Sequence, residues 1–213
     1  MKKILDVKNL KLYYYTSKGP VHGVDNVTFH INTGETMGIV GESGCGKTSL
    51  GTSLLNMPTP PGKIIDGEII IDDINILDLS ENKVRKNIRW EKISMVFQGA
   101  MNCLTPVYTI EKQMMETLQS NRPMDKKEGK ERIKKYLNLV GLSDEVLGRY
   151  PHELSGGMKQ RVIIATALYL EPQLVICDEP TTALDVVVQA QIINLLKKLK
   201  QQLQLSFIFI THD

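Results

Sequence analysis

Long apolar runs are missing from this 213-residue chain. No stretch approaches the roughly 18–20 apolar residues that cross a bilayer as a helix. The first residues, Met1-Lys2-Lys3-Ile4-Leu5-Asp6, carry two lysines, but Asp6 and Lys8 interrupt any apolar signal core. The expectation is a protein that folds in the cytosol. Cysteine is scarce too. Cys45, Cys103 and Cys177 are an odd number with no C-x-x-C spacing, which argues against both a disulfide framework and a zinc site. Reduced thiols are the simple reading. Nor is there an excess of charge. Twenty-six basic and 24 acidic residues leave +2, too little to argue for nucleic acid or an anionic membrane surface. Internal repeats and low-complexity segments are also lacking. What remains, 42% hydrophobic and 23% charged, is ordinary for a globular protein. The length suits one large domain, or one domain with an inserted subdomain.

Against that background one segment stands out. Gly41-Glu42-Ser43-Gly44-Cys45-Gly46-Lys47-Thr48 fits the phosphate-loop pattern G-x-x-x-x-G-K-[ST] at every position. Met37-Gly38-Ile39-Val40 before it reads as a strand, and Thr48 to Leu55 after it reads as a helix. Glycines let the backbone curl around an anion with several N–H groups pointing inward. A helix N-terminus adds partial positive charge at the same place. Lys47 is placed to reach β- and γ-phosphates, and the Thr48 hydroxyl to ligate Mg²⁺. The candidate nucleotide contacts run from Gly41 to Ser49. Eight fitting positions between a strand and a helix weigh against a glycine-rich turn that binds nothing. Taken alone, the motif leaves ATP and GTP open.

Around this loop the chain divides by pattern. Ile4 to Tyr15 and Val24 to Ile31 alternate as strands, with turn signals at Ser17-Lys18-Gly19-Pro20 and Asn32-Thr33-Gly34. Gly67 to Ile76 reads as a strand pair turning at Asp72-Asp73, Lys92 to Phe97 as a further strand, and Pro58 to Gly62 as a connector. The character changes near residue 102, and Thr109 to Leu170 is mostly helical. Glu131 to Val140 places Ile133, Tyr136, Leu137 and Val140 on one face, and Gly141 ends it. The mixed charges of Lys126 to Lys135 read as a solvated helix face. The last third returns to alternating α/β. Leu174 to Cys177 and Ser206 to Ile210 read as buried parallel strands. Between them lies an amphipathic helix, Val186 to Leu203, with Asp185 as N-cap.

Asp178-Glu179-Pro180 follows the strand at 174–177. The C-terminal end of a parallel strand is where α/β sheets place ligands. Asp178 there suits Mg²⁺, through water, and Glu179 suits polarising an attacking water. Leu154-Ser155-Gly156-Gly157-Met158-Lys159-Gln160-Arg161 opens a helix running to about Leu170. Two glycines at a helix start are costly unless the backbone must come close to something. Ser155 and the free N–H groups of that first turn make a second anion site.

These motifs together resemble the ATP-binding cassette family, and the resemblance spans essentially the whole chain. Leu154 to Gln160 resembles the family's signature motif. The resemblance implies an α/β fold: a mostly parallel P-loop sheet, an N-terminal antiparallel β-subdomain and an inserted helical subdomain. Residues 1–213 would form one ATP-binding domain, with a core over roughly 1–100 and 171–213 and the helical subdomain over 101–170. It further implies that two ATP molecules, each with Mg²⁺, are sandwiched in a head-to-tail dimer. Ser155, Gly156 and Gly157 would then face the phosphate loop of the second subunit. Tyr14 resembles the aromatic that stacks on adenine, with Tyr13 and Tyr15 as neighbours for the same role. Gln98 resembles the loop glutamine that touches Mg²⁺ and senses the membrane partner. Thr182-Ala183-Leu184-Asp185 resembles the loop that crosses the dimer, with Asp185 as its acid. His212 resembles the histidine that contacts the γ-phosphate. His22, His30 and His152 match nothing and read as surface or packing residues.

Val96 to Val107 and Gly38 to Gly44 look like the oligopeptide and dipeptide permease branch, whose relatives import nickel or oligosaccharides. The implied protein is an importer's ATPase subunit, peripheral on the cytoplasmic face of the cell membrane. Its partners would be separate permease subunits, a second identical or different ATPase subunit and, indirectly, a solute-binding protein, with no nucleic acid. Two other classes stay open: a soluble cassette protein acting on ribosomes or DNA, and a nucleotide-binding module that does not hydrolyse. The former usually carries two cassettes or a long coiled coil, and this chain has neither. Family members continue beyond the position of Asp213, so a fragment or truncated product is also expected.

Overall fold

The structure, a computed structural model, describes residues 2–212. β1 (Lys3–Thr16) and β2 (Gly19–Asn32) form a long antiparallel hairpin. The alternation along β1 slips by one residue midway. Leu5 and Val7 point inward before the slip, and Leu10, Leu12 and the half-buried Tyr14 after it. A bulge at Asn9, with φ 48°, absorbs the extra residue, and both flanking pairings shift there. A slip of one position would otherwise turn every later side chain to the wrong face.

β3 (Thr36–Val40) leads through the phosphate loop into α1 (Lys47–Ser53), two residues shorter at its end than the sequence suggested. β4 (Gly62–Ile71) pairs with the other edge of β1. The two-residue β5 (Ile74–Asn75) returns on β4 through Asp72-Asp73, both at positive φ, as tight hairpin turns require. This first sheet has the order β2-β1-β4-β5. A short α2 (Glu81–Asn87), which the sequence pattern did not announce, precedes β6 (Ile93–Val96).

Three helices follow: α3 (Ile110–Asn121), α4 (Lys126–Leu139) and α5 (Gly156–Leu168). Asp125 caps α4 by accepting from the Lys127 amide, and Gly141 at φ 77° lies just past its end. Ile133, Tyr136, Leu137 and Val140 are all buried, and the charged residues of α4 lie outward or half-buried. The chain closes with β7 (Leu174–Asp178), α6 (Val186–Leu203) and β8 (Ser206–Thr211).

β3, β6, β7 and β8 make an all-parallel sheet of order β3-β8-β7-β6. All five residues of β7 are buried, as a strand covered on both faces must be. On one face Leu174, Ile176, Ile208 and Ile210 pack with α1 and the antiparallel sheet. On the other, Val175, Cys177 and Phe207 pack with α3 to α6. Among the described residues no helix is long and apolar enough to cross a membrane.

Candidate functional site

Four parallel strands end at one rim of the sheet, and each delivers a candidate group, β7 two of them. The phosphate loop follows β3, Gln98 follows β6, Asp178 ends β7 with Glu179 next in the chain, and His212 follows β8. This is the crevice in which open α/β sheets hold ligands.

Gly46 caps α1 in the left-handed conformation, φ 94°. A Cβ at Gly46 would lie 2.0 Å from the Gly23 carbonyl oxygen of β2, so no larger residue fits where the antiparallel sheet meets the loop. Glu42, Ser43, Gly44, Cys45 and Thr48 are exposed, and Gly41, Gly46 and Ser49 are half-buried. Lys47 is buried and folded back on its own loop. Its Nζ donates to the carbonyls of Gly41 and Glu42, at 2.6 Å each, and lies 3.8 Å from the Cys45 Sγ. The ammonium is therefore held in the concavity by carbonyls that a phosphate can replace.

The two acids at the end of β7 differ sharply. Asp178 is 1% exposed, and neither carboxylate oxygen has a hydrogen-bond partner. Burial pushes its carboxyl above the usual range. The Thr48 hydroxyl, near but outside full hydrogen-bond geometry, and the Lys47 ammonium offset part of that, and the Glu179 charge adds to it. A buried carboxylate left without a partner is costly in a fold, and a hard cation is the natural ligand for it. With the exposed Thr48 hydroxyl close by, the residues present fit Mg²⁺. Among the described residues no group of three or more His, Cys, Asp or Glu side chains gathers as a metal cage.

Glu179, in contrast, is heavily engaged. The Gln98 Nε2 donates to its Oε2 at 2.8 Å, the Thr182 hydroxyl to the same oxygen at 2.9 Å, and the His212 Nδ1 lies 2.9 Å from its Oε1. His212 foremost, then Thr182 and the Lys47 charge, hold the Glu179 carboxyl below the usual range against burial. Its backbone is left-handed, φ 45°, and its amide donates to the Ile210 carbonyl of β8.

Of the three adjacent tyrosines, the structure brings Tyr14 to the phosphate loop, with its hydroxyl 2.8 Å from that of Ser49. Tyr13 points to the other face, stacked on His22 at 3.9 Å and bonded to Asp25, and Tyr15 is exposed.

The helix start at Ser155 lies elsewhere. Ser155 is the N-cap of α5 and accepts from the Met158 amide. Gly156 is approached by Leu184, and Gly157 by Val188, where an added Cβ would sit at 2.8 Å. Within one chain the glycine pair makes room for the 184–188 segment, a packing reason that sequence reasoning missed. Asp185 is the N-cap of α6 and accepts from the Val188 amide at 2.9 Å. Thr182 and Gln160 appear in the sequence reading only as members of motifs, with no role of their own. The buried Gln160 donates to the Pro180 carbonyl at 2.7 Å and ties α5 to the strand end that carries the acids.

A family model described as ABC transporter matches residues 24–182. The chain belongs to the ABC transporter family. It is 46% identical over 216 residues to the oligopeptide transport ATP-binding protein AppD of Bacillus subtilis, covering all of this chain and 66% of that one. It is 44% identical to the dipeptide transport ATP-binding protein DppD of the same organism, covering all of this chain and 64% of the relative. To the oligopeptide transport ATP-binding protein OppD of Haemophilus influenzae it is also 44% identical, covering all of this chain and 66% of that one. The chain thus spans about two thirds or less of the length of these curated relatives. Among solved structures it is similar to the dimeric ABC transporter cassette MJ0796, with TM-score 0.84, 31% identity and coverage of 98% of this chain and 88% of that one. MJ0796 as a dimer in a post-hydrolysis state, bound to ADP and Pi, gives TM-score 0.82 and 33% identity with the same coverage.

Proposed function

We propose that this chain is the ATP-hydrolysing subunit of an importer that moves di- and oligopeptides through separate membrane permease subunits. The observation that carries the reading is the pairing at the end of β7. A buried carboxylate without a partner, Asp178, stands beside a carboxylate held by three donors, Glu179, and both are under the electrostatic reach of Lys47. The peptide assignment is supported by the oligopeptide and dipeptide transport relatives.

In this reading the loop from Gly41 to Ser49 wraps the phosphates, and Lys47 exchanges its two carbonyl contacts for β- and γ-phosphate oxygens. Thr48, Asp178 and Gln98 would hold Mg²⁺, which when bound neutralises charge on the transferring phosphoryl group. Glu179 orients the attacking water, and His212 turns from Glu179 to the γ-phosphate. Tyr14 contributes its ring to the base. Ser155, Gly156, Gly157 and Asp185 act on the nucleotide of a second cassette, a head-to-tail arrangement supported by the dimeric MJ0796 cassettes. The partners are that second ATPase subunit, the permease and, through it, a solute-binding protein. The working location is the cytoplasmic face of the membrane.

Steady-state ATPase measurement of the native protein and of Glu179→Gln tests this. The variant is expected to lose turnover by orders of magnitude while still binding ATP, since one preorganised transition-state contact commonly contributes about 3–4 kcal/mol. Near-normal hydrolysis by the variant would refute the assignment of Glu179.

A further inference from the structure

Glu179 has three side-chain partners, and under the ATPase reading two of them have another destination. Gln98 is wanted by the metal and His212 by the γ-phosphate. Thr182 is the third, and its geometry is local. Its hydroxyl donates to the Glu179 Oε2 at 2.9 Å, and its amide donates to the Glu179 carbonyl at 3.2 Å. Thr182 thus bonds both the backbone and the carboxylate of one residue across a single turn. That turn opens on one non-glycine residue at positive φ, Glu179 at 45°, and is followed by another, Ala183 at 65°. Such a conformation persists only where its surroundings hold it. They do so here: Gln160 donates to the Pro180 carbonyl from a buried position, and Gln189 donates to the carbonyls of Thr181 and Leu184.

We infer that Thr182 is a positioning residue acting within its own subunit, whose hydroxyl keeps the Glu179 carboxylate aimed when Gln98 and His212 leave it for the nucleotide. The resemblance sends the loop from Thr182 to Asp185 across the dimer. The contacts give this threonine work on its own side of the interface. The carboxylate would otherwise lose three donors at the moment its orientation matters, and side-chain freedom there directly costs rate. The hydroxyl neither touches the reacting atoms nor is consumed. The inference rests on the ATPase reading.

The test compares Thr182→Val, which keeps the shape and removes the hydroxyl, with Thr182→Ser, which keeps the hydroxyl. Thr182→Val is expected to lower kcat by about tenfold or more, the scale of one lost hydrogen bond to a charged group. Its KM for ATP and its ATP-dependent dimerisation should stay within about twofold of the native protein, because the lost contact acts after binding. Thr182→Ser should recover most of the rate. A second arm needs no turnover. In a crystal structure with Mg²⁺ and a non-hydrolysable ATP analogue, the Thr182 Oγ1 is expected to remain within hydrogen-bond reach of Glu179. Normal turnover by Thr182→Val beside an inactive Glu179→Gln overturns this inference and leaves the ATPase reading standing. Normal turnover by both removes the ATPase reading and the inference with it. A loss confined to KM, a loss shared equally by Thr182→Ser, or a nucleotide complex with the hydroxyl turned away from Glu179 also overturns it.

Discussion

The Tyr14 hydroxyl lies 2.8 Å from the Ser49 hydroxyl and fastens the antiparallel sheet to the first turn of α1. Since Ser49 directly follows the phosphate-loop motif, the bond ties the antiparallel sheet to the end of that loop. Tyr14→Phe keeps the ring and drops the bond. It should cost about 1 kcal/mol of stability and shift ATP affinity only a few-fold. Tyr14→Ala, which also removes the ring, should cost roughly 2–4 kcal/mol. Thermal unfolding and titration with a fluorescent ATP analogue read both. A Tyr14→Phe variant as damaged as Tyr14→Ala would show that the hydroxyl, not the ring, carries the effect.

Among the described residues Lys47 donates only to the carbonyls and thiol of its own loop. Lys47→Ala should therefore leave melting nearly unchanged and weaken ATP binding at least about tenfold, the scale of one charge-assisted contact to phosphate. Isothermal titration with Mg²⁺-ATP measures it. Unaltered affinity would exclude Lys47 from the phosphates.

Asp178 carries the opposite balance. Its buried, unpartnered carboxylate is raised in pKa by burial, so the folded protein holds its proton more tightly than the unfolded chain. A raised carboxyl pKa means stability is lost as pH climbs from the unfolded value through the folded one. Asp178→Asn removes the charge and should raise the melting temperature of the nucleotide-free protein at neutral pH. The same change should abolish the extra stabilisation that Mg²⁺ adds to bound ATP. Differential scanning calorimetry with and without Mg²⁺-ATP reads both signs, and a lowered melting temperature in the free variant contradicts the account.

Glu179 is shifted the other way, with His212 as the largest cause. A depressed carboxyl pKa contributes stability above the unfolded value, and that contribution is lost as pH falls through the folded one. The acid limb of the kcat/KM profile, which reports the nucleotide-free protein in which His212 still holds Glu179, should accordingly lie below the range of an ordinary glutamate. His212→Ala should move the acid limb of its residual activity upward. A limb that does not move would separate His212 from the ionisation of Glu179.

Gly157 supports a packing prediction. An added Cβ would meet the Val188 Cγ1 at 2.8 Å. Gly157→Ala should cost about 1–3 kcal/mol through overpacking, and Val188→Ala in the same molecule should recover part of it. Chemical denaturation of the single and double variants checks this, and additive losses would show that the two residues do not collide.

Much of this was legible beforehand, for identifiable reasons. α6 was read at its observed limits because an acid cap, a long 3.6-residue period and a buried stripe all agree. β7 stood out because both of its faces are covered. By contrast, α2 has Val84 as its one buried residue, so it leaves no apolar period to detect. The slip at Asn9 was invisible because alternation on either side looks continuous until the pairing partners are known. In the site, the motif residues carry their own spacing. The Thr182 hydroxyl bond depends on left-handed φ at Glu179, a conformation that residue type alone would not announce.

The strand order β3-β8-β7-β6 also has a consequence for synthesis. Among the described residues β3, which feeds the phosphate loop, is hydrogen-bonded to β8 and to no other strand, and β8 lies more than 160 positions later in the chain. The amino-terminal hairpin can close while the ribosome is still translating the middle of the message. The parallel sheet must wait for residues 206–211 to emerge. Loop closure over so great a separation is slow. A nascent chain stalled before β8 should therefore present its glycine loop on an unsupported strand, with the nucleotide pocket unfinished until those residues arrive.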